Sequence, residues 1–338
     1  MIIDFRSDTV TKPTAGMLEV MINAKIGDDV FGEDPSINEL EQTAADMFGM
    51  EAGLFCPSGT MTNQIAIKCH TQPGDDVICD ESAHVYQYEG GGIAFNSGAS
   101  VKLLYGDRGR INAEQVVAAI NPDDTHKPHT SLVCLENTSN RGGGSCYDLD
   151  EMKKIKAICK ENELAFHLDG ARLWNAMVAK KETPKQYGEI FDSISICLSK
   201  GLGAPVGSVL IGKKDFIKKG ERIRKVLGGG MRQAGFLAAA GIYALKNNID
   251  RLQHDHDHAK RIGESLSKSQ IASSVLPIET NIVIFETQEP NSAAKIIERF
   301  KQKEILCSFI STSRVRFVLH LDINDEMVNK TMEVIGKM

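Results

Sequence analysis

Short runs of β-forming residues recur along this chain, and longer segments with helical spacing separate them. The runs lie at seven places: 53–56, 77–79, 101–104, 131–135, 165–168, 193–198 and 208–211. Strands that alternate with helices usually pair in parallel, because the helix carries the chain back to the same edge of the sheet. The pattern therefore predicts an α/β fold with a mainly parallel, seven-stranded sheet wrapped by helices.

The last third of the chain has a different organisation. Residues 231–268 contain no proline and are rich in Ala, Leu and Ile, which predicts one or two long helices that leave the sheet. Strand-like runs follow at 281–286, 305–310 and 315–319, with helical stretches near 293–303 and at the chain end. We predict a large domain over residues 1–246, whose N-terminal segment contributes to the active site and an interface. A smaller C-terminal α/β domain is predicted over 247–338.

Charge and hydropathy exclude several classes of protein. The chain has 39 Lys and Arg against 45 Asp and Glu, a net charge of -6, so it lacks the basic field that nucleic acids require. The longest apolar stretches, at 194–198 and 236–240, are much shorter than the roughly 20 residues that span a bilayer. The first ten residues are acidic where a signal peptide is basic. We expect a cytoplasmic protein that binds neither nucleic acid nor membrane.

Chemically useful residues follow several of the predicted strands. In an open α/β sheet, ligands bind beyond the carboxyl ends of the strands. The run 53–56 leads into a turn of small residues and an apparent helix at 61–70, which suits a phosphate because a helix begins with free N–H groups. His84, Asp169 and Lys200 follow the runs at 77–79, 165–168 and 193–198.

Each of these features alone has a plain structural explanation, since small residues make turns, a lone histidine is often structural and an aspartate often caps a helix. Together they match what pyridoxal 5'-phosphate needs. That cofactor requires an anion site, a stacking ring, a carboxylate for its pyridine nitrogen and an amine for its aldehyde. We therefore predict a pyridoxal-phosphate site.

The motifs at these positions carry a family resemblance. In order they read FRSDTVTKPT, GDDVFGEDP, PSGTMTNQ, DESAH, YEGGG, LENT, HLDGARLWNA, CLSKGLGAPVGS, GGGMRQAG and VRFVLHLD. From residue 2 to about residue 323 the chain resembles the low-specificity L-threonine aldolases. These are pyridoxal-phosphate enzymes of fold type I, the aspartate-aminotransferase fold.

The resemblance implies roles for the cofactor residues. Lys200 forms a Schiff base with the aldehyde, Asp169 pairs with the pyridine nitrogen, and His84 stacks on the ring and helps with proton transfer. Ser58, Gly59 and Thr60 hold the phosphate, and Arg172 also belongs to the cofactor site. Lys225 and Arg232 approach the phosphate from a neighbouring subunit. Without the resemblance, Lys225 and Arg232 read as solvated surface residues.

The resemblance also implies a substrate site. An amino-acid carboxylate prefers a bidentate guanidinium, and Arg172 and Arg316 are the candidates. Ser7 adds a hydroxyl, and Tyr88 lies near the pocket or serves only in packing. The family histidine near the substrate hydroxyl corresponds to His126. His129 is close to His126 in sequence, but the spacing to the LENT motif favours His126.

The implied reaction is retro-aldol cleavage of L-threonine, L-allo-threonine and related β-hydroxy-α-amino acids to glycine and an aldehyde. The base for the hydroxyl proton is left open among His84, His126 and a bound water. A β-eliminating lyase on the same fold and a non-catalytic cofactor-binding protein are the alternatives. The family is commonly a homotetramer, a dimer of dimers with shared active sites, and dimer and tetramer are both left open here.

The HDHDH run and the cysteines are the patterns that could indicate a metal site or disulfides. His254 and His258 share one helical face, but the surrounding HDHDH run predicts a solvated helix, and we expect no metal. The eight cysteines form no CxxC pair, which predicts reduced thiols.

Overall fold

A computed structural model describes residues 2–338 of the chain. We number the strands of this part β1 to β13 in chain order: Ile3–Asp4, Ala52–Cys56, Asp76–Asp80, Ser100–Leu104, Thr130–Glu136, Ala165–Gly170, Ser193–Cys197, Ser208–Gly212, Ala272–Val275, Ile282–Thr287, Ile305–Leu306, Ser308–Ser311 and Arg314–Val318. The helices α1 to α13 are Ala15–Ile22, Pro35–Phe48, Gly59–His70, His84–Gln87, Ala113–Ala119, Leu149–Glu161, Leu173–Lys180, Pro184–Gly188, Lys214–Val226, Gly235–Asn247, Leu252–Ser267, Ala293–Lys301 and Asp325–Gly336.

The seven strands predicted for the large sheet all form it. Their spatial order is β2-β8-β7-β6-β5-β3-β4. Strand β8 runs antiparallel to both β2 and β7, whereas the other neighbouring pairs are parallel. Strands β3, β5, β7 and β8 are buried along their whole length, which explains why they read as continuous apolar runs in the sequence. The predicted fold class, α/β with a mainly parallel sheet, is confirmed.

The sequence predicts that a capping box beginning at Ser36 opens the helix that ends at Phe48, but helix α2 begins differently. Ser36 and Glu39 have capping-box spacing. In the structure Asp34 is the N-cap, because its Oδ1 accepts the backbone N–H groups of Ser36 and Ile37 at 3.1 Å each. Pro35 then takes the first helical position, where a missing N–H costs nothing.

A second, four-stranded antiparallel sheet with the order β12-β13-β10-β9 lies in the C-terminal part. The N-terminal strand β1 pairs in parallel with β11, and Phe5 stacks on Phe317 at a centroid distance of 5.3 Å. The first residues of the chain therefore pack with the C-terminal part rather than on the large sheet. The predicted domain boundary at 246/247 falls at the last residues of α10 and stays a prediction.

The HDHDH run lies in helix α11 and is not a fully solvated face. Asp255 and His256 are buried, and His258 is nearly so. Helix α11 packs against α7 and α13, and His256 Nε2 is 3.0 Å from Asn175 Oδ1. Among the described residues, no helix combines the length and hydropathy of a membrane span.

Candidate active site

The candidate site lies where the parallel strands of the large sheet end. Asp169 is the second-to-last residue of β6 and pairs in register with Ser195 of β7, and Lys200 follows β7 by three residues. His84 begins the short helix α4, four residues after β3. The parallel arrangement brings these ends to one edge, as the sequence predicts.

His84 is held by carboxylates on two elements. Its backbone N–H donates to Glu136 Oε2 at 2.9 Å, and its Nδ1 lies 3.0 Å from Glu89 Oε1. One ligand atom from each of His84, Glu89 and Asp169 lies within 4.8 Å of the others. Burial lowers the pKa of His84, but the hydrogen bond to Glu89 and the charges of Asp169, Glu89 and Glu136 outweigh it, so the pKa is raised.

Glu136 is the last residue of β5 and is almost completely buried. Burial, and then the negative charge of Asp169, raise its pKa to about 7. Its two carboxylate oxygens accept the backbone N–H groups of His84 and Asn140. Glu136 therefore fixes the positions of two segments that border the site.

Asn63 of helix α3 connects the two carboxylates beneath His84. Its Nδ2 donates to Asp169 Oδ2 and to Glu89 Oε1, at 2.9 Å each. Because the amide NH2 group faces two carboxylates, the Oδ1 atom faces the other way, 3.2 Å from His167 Nε2. Burial lowers the pKa of His167 to about 3, so this ring is neutral and donates its Nε2–H to Asn63.

Helix α3 also supplies the predicted phosphate site. Ser58 is its N-cap and accepts Met61 N–H at 3.2 Å, which leaves the N–H groups of the first turn at an open helix end. A Cβ on Gly59 would lie 3.4 Å from Ser208 Oγ. That hydroxyl is buried and has no hydrogen-bond partner among the described residues. Gly59 and the exposed Thr60 therefore border a polar atom that a ligand oxygen can satisfy.

The two arginines predicted to bind a carboxylate have different surroundings. Arg172 makes two hydrogen bonds of 2.7 Å to the buried carboxylate of Asp8. Arg316 donates to Asn140 Oδ1 at 2.6 Å and to the backbone oxygen of Arg6, and its Nε is buried without a partner. Burial, followed by the charge of Arg172, lowers the pKa of Arg316 to about 10. Arg316 is thus the guanidinium with donors available to a substrate.

Ser7 and Tyr88 lie next to these groups. Ser7 directly precedes Asp8, and its Oγ accepts Thr9 N–H at 3.2 Å. The Tyr88 ring is 5.7 Å from the His84 ring, between centroids.

His126 does not lie at this edge within the chain. It precedes β5, and the nearby His129 accepts a backbone hydrogen bond from Asp76, the first residue of β3. Both histidines therefore lie at the amino ends of the parallel strands, opposite His84. The His126 side chain is 90% exposed and pairs with Asp124.

Lys225 and Arg232 are exposed. Lys225 lies in the last turn of α9, next to the buried Arg224, which donates to the Phe55 oxygen of β2. Arg232 pairs with Asp28 at 2.9 Å. Neither residue contacts His84, Asp169 or Lys200 within one chain.

The sequence interpretation missed Asp8, Asn63, Glu89 and Asn140. Asp8 lies in the RSDT motif and Glu89 in YEGGG, so both were visible, but nothing in their spacing showed what they contact. A buried carboxylate needs a partner, and such partners lie far away in the sequence.

Comparison with known proteins gives the same assignment for the whole chain. A family model described as β-eliminating lyase matches residues 4–290. The low-specificity L-threonine aldolase of Escherichia coli is 43% identical over 327 residues, which cover 96% of each chain. That of Arabidopsis thaliana is 41% identical over 337 residues, 98% of this chain and 94% of the relative. That of Saccharomyces cerevisiae is 46% identical over 285 residues, which cover 83% of this chain and 73% of the relative.

Solved structures agree on the fold. A threonine aldolase of Leishmania major has a TM-score of 0.87 at 20% identity, with 99% of each chain covered. A putative L-allo-threonine aldolase of Listeria monocytogenes has a TM-score of 0.83 at 19% identity, with 99% of this chain and 96% of that chain covered. The chain is a lyase that belongs to the low-specificity L-threonine aldolase family.

Proposed function

We propose that this protein cleaves L-threonine, L-allo-threonine and related β-hydroxy-α-amino acids to glycine and an aldehyde. One structural observation supports this function most directly. The half-buried Arg316 has no carboxylate partner and donates to Asn140, and the carboxylate of Glu136 accepts the backbone N–H groups of both Asn140 and His84. A group that binds a carboxylate thus lies beside a group that moves a proton, as this reaction requires.

The residues present fit pyridoxal 5'-phosphate as the cofactor. Lys200 is half-buried and has no hydrogen bond or ion pair among the described side chains, so its amine is available to an aldehyde. Asp169 offers its carboxylate to the pyridine nitrogen, and the start of α3 with Ser208 Oγ offers donors to the phosphate. When bound, the cofactor supplies an electron-withdrawing ring that accepts the electron pair of the bond broken at Cα.

Arg316 binds the substrate carboxylate in this proposal, with Asn140 fixing the guanidinium and Ser7 adding a hydroxyl. Arg172 acts through Asp8, because two of its three guanidinium nitrogens already bind that carboxylate. A direct contact of Arg172 with substrate or cofactor is limited to the two N–H groups of Nη1 and the second N–H of Nη2.

His84 takes the hydroxyl proton at Nε2. Glu89 accepts the Nδ1–H, which leaves Nε2 as the acceptor in the neutral ring. The Cα–Cβ bond then breaks, the aldehyde leaves, and Cα takes up a proton to give glycine. Because the pKa of His84 is raised, this step loses its base as the pH falls through that value.

We also propose a homotetramer, a dimer of dimers, whose sites are completed across an interface. Three large apolar side chains are mostly exposed: Ile22 (78%), Phe31 (73%) and Val226 (82%). Val226 directly follows Lys225, and Arg232 pairs with Asp28, which is three residues before Phe31. Exposed apolar side chains of this size suit an interface that includes Lys225 and Arg232. A neighbouring copy can present these cations, and His126, to the site.

A cytoplasmic location stays a proposal that cell fractionation tests.

The test of the function is an assay of cofactor-loaded protein with both threonine isomers, in which acetaldehyde is detected by its enzymatic reduction. L-Cysteine and L-tyrosine serve as substrates for β-elimination. We expect acetaldehyde from threonine and no pyruvate from the other two. Pyruvate without acetaldehyde would instead assign the alternative, a β-eliminating lyase.

The test of shared sites is a mixture of the separately inactive Lys200→Ala and Arg232→Ala proteins, which regains activity only if one subunit completes the site of another.

A further inference from the structure

Arg141 lies in the loop after β5, next to the residues of the candidate site. Its Cζ is 5.7 Å from the centroid of the Tyr88 ring, and Tyr88 is itself 5.7 Å from the His84 ring. The preceding residue, Asn140, accepts the hydrogen bond from Arg316 Nη1. Arg141 and His84 therefore share Tyr88 as a neighbour, and the charge of Arg141 acts on Arg316, the residue that binds the α-carboxylate.

The guanidinium of Arg141 has no anionic partner among the described residues. Its one hydrogen bond goes from Nη2 to the backbone oxygen of Ile310, at 3.3 Å. In contrast, the nearby Arg172 is neutralised by two bonds to Asp8. The positive charge of Arg141 also contributes to the lowered pKa of Arg316, after burial and Arg172.

Two guanidinium groups thus lack a carboxylate here, Arg316 and Arg141. A partly buried cation without a counterion is unfavourable, and a ligand carboxylate relieves that cost. The α-carboxylate of an amino acid accounts for one of the two. The other remains available to a second carboxylate on the hydroxyl side of the substrate, because Arg141 lies over Tyr88, whose ring is also next to that of His84.

We propose that Arg141 binds a second carboxylate, so that the preferred substrates are β-hydroxy-α-amino acids with an acidic β-substituent, of which 3-hydroxyaspartate is the smallest. This inference rests on the proposed aldolase function. In the reaction, the Cα–Cβ bond breaks and its electron pair stays with Cα. The hydroxyl proton leaves to His84, and the O–H electron pair becomes the second bond of the new carbonyl. Cα takes up a proton, and the products are glycine and glyoxylate.

The test compares kcat/KM for 3-hydroxyaspartate, with glyoxylate detected, and for L-threonine, with acetaldehyde detected. It uses holoenzyme of the wild type and of Arg141→Gln. We expect the ratio of the two constants to fall by about 10- to 100-fold in the variant, which corresponds to one charge-assisted hydrogen-bonded contact. Arg141→Lys keeps the positive charge but lacks the planar guanidinium, so its ratio of kcat/KM values should lie between those of the wild type and of Arg141→Gln.

Arg314→Gln is the matched control, because Arg314 is an exposed arginine on the strand that carries Arg316. We expect it to leave the ratio unchanged. Binding of malate, a dicarboxylate that cannot react, gives a readout independent of turnover, and its dissociation constant should rise in Arg141→Gln but not in Arg314→Gln.

Each remaining outcome is informative. An equal loss on both substrates in Arg141→Gln, with unchanged malate binding, would overturn the proposal and make Arg141 a loop-stabilising residue. A wild type that cleaves threonine but not 3-hydroxyaspartate would overturn the substrate preference alone. A wild type that releases neither aldehyde would overturn the aldolase function itself. Circular dichroism and the cofactor absorbance of each variant show whether the protein is folded and loaded.

Discussion

The carboxylate of Asp8, next to Ser7 in the N-terminal segment, forms a two-point ion pair with Arg172, just after β6, with both N–O distances at 2.7 Å. Both side chains are buried, at 0% and 5% exposure. Removal of one partner of a buried pair leaves an uncompensated charge, which costs about 3–5 kcal/mol. The pair therefore fastens the N-terminal segment to the edge of the large sheet, where the candidate site lies.

Asp8→Asn should lower the free energy of unfolding by about 3 kcal/mol, because it keeps the shape of the side chain but removes its charge. Denaturant unfolding of the holoenzyme measures this. The control is Asp150→Asn, which removes an exposed partner of Lys153 and should cost at most about 1 kcal/mol. Equal losses of unfolding free energy in the two variants would show that the buried Asp8–Arg172 pair stabilises the fold no more than an exposed pair.

The same pair predicts a pH dependence. Burial raises the pKa of Asp8, but the charge and hydrogen bonds of Arg172 outweigh burial, so the pKa lies below its ordinary value. A lowered carboxyl pKa gives stability that is present above the unfolded-state pKa and lost as the pH falls through the folded-state pKa. The stability difference between wild type and Asp8→Asn should therefore narrow below about pH 4. A difference that stays constant down to pH 2 would contradict this.

Lys200→Ala should abolish both turnover and the absorbance of the amine-bound cofactor, since no other amine is predicted to react with the aldehyde. Spectra taken after gel filtration measure this. Lys213→Ala, on the exposed surface before α9, is the control and should keep both properties. Retention of the band in Lys200→Ala would assign a different lysine.

Glu89→Gln should move the acid limb of the kcat/KM profile to lower pH. The amide oxygen still accepts the Nδ1–H of His84, but one of the charges that raise the pKa of His84 is lost. Because the neutral ring is the base, a lower pKa keeps it active at lower pH. Glu81→Gln removes an exposed carboxylate from the same loop and should leave the profile in place. An unshifted limb in Glu89→Gln would remove His84 from the base role.

Asn63→Ala should weaken cofactor binding roughly 5- to 100-fold, because Asp169 loses a buried hydrogen bond worth about 1–3 kcal/mol. Gln64 is the matched comparison, since its Nε2 donates only to Glu89, at 2.6 Å. Gln64→Ala should therefore change cofactor affinity much less. An absorbance titration of apoprotein with cofactor measures both, and equal losses would mean that the contact of Asn63 with Asp169 has no separate effect.

The sequence by itself determined the fold and the residues at the strand ends. Most of the seven runs are apolar because the strands inside the sheet are buried on both faces, so their positions were readable without any contact. The edge strand β4 is partly exposed. Lys200, Asp169 and His84 were identified because each follows a strand-like run of the sequence, and parallel strands bring their carboxyl ends to one edge.

The tertiary structure alone decided which charges are paired. Arg172 and Arg316 look alike in sequence, but Asp8 lies 164 positions before Arg172, so only folding shows that one is neutralised and the other is free. His126 reads as a site residue, yet its place before β5 puts it at the opposite edge of its own chain. Pairing and burial depend on contacts between residues distant in sequence, and local patterns do not encode these.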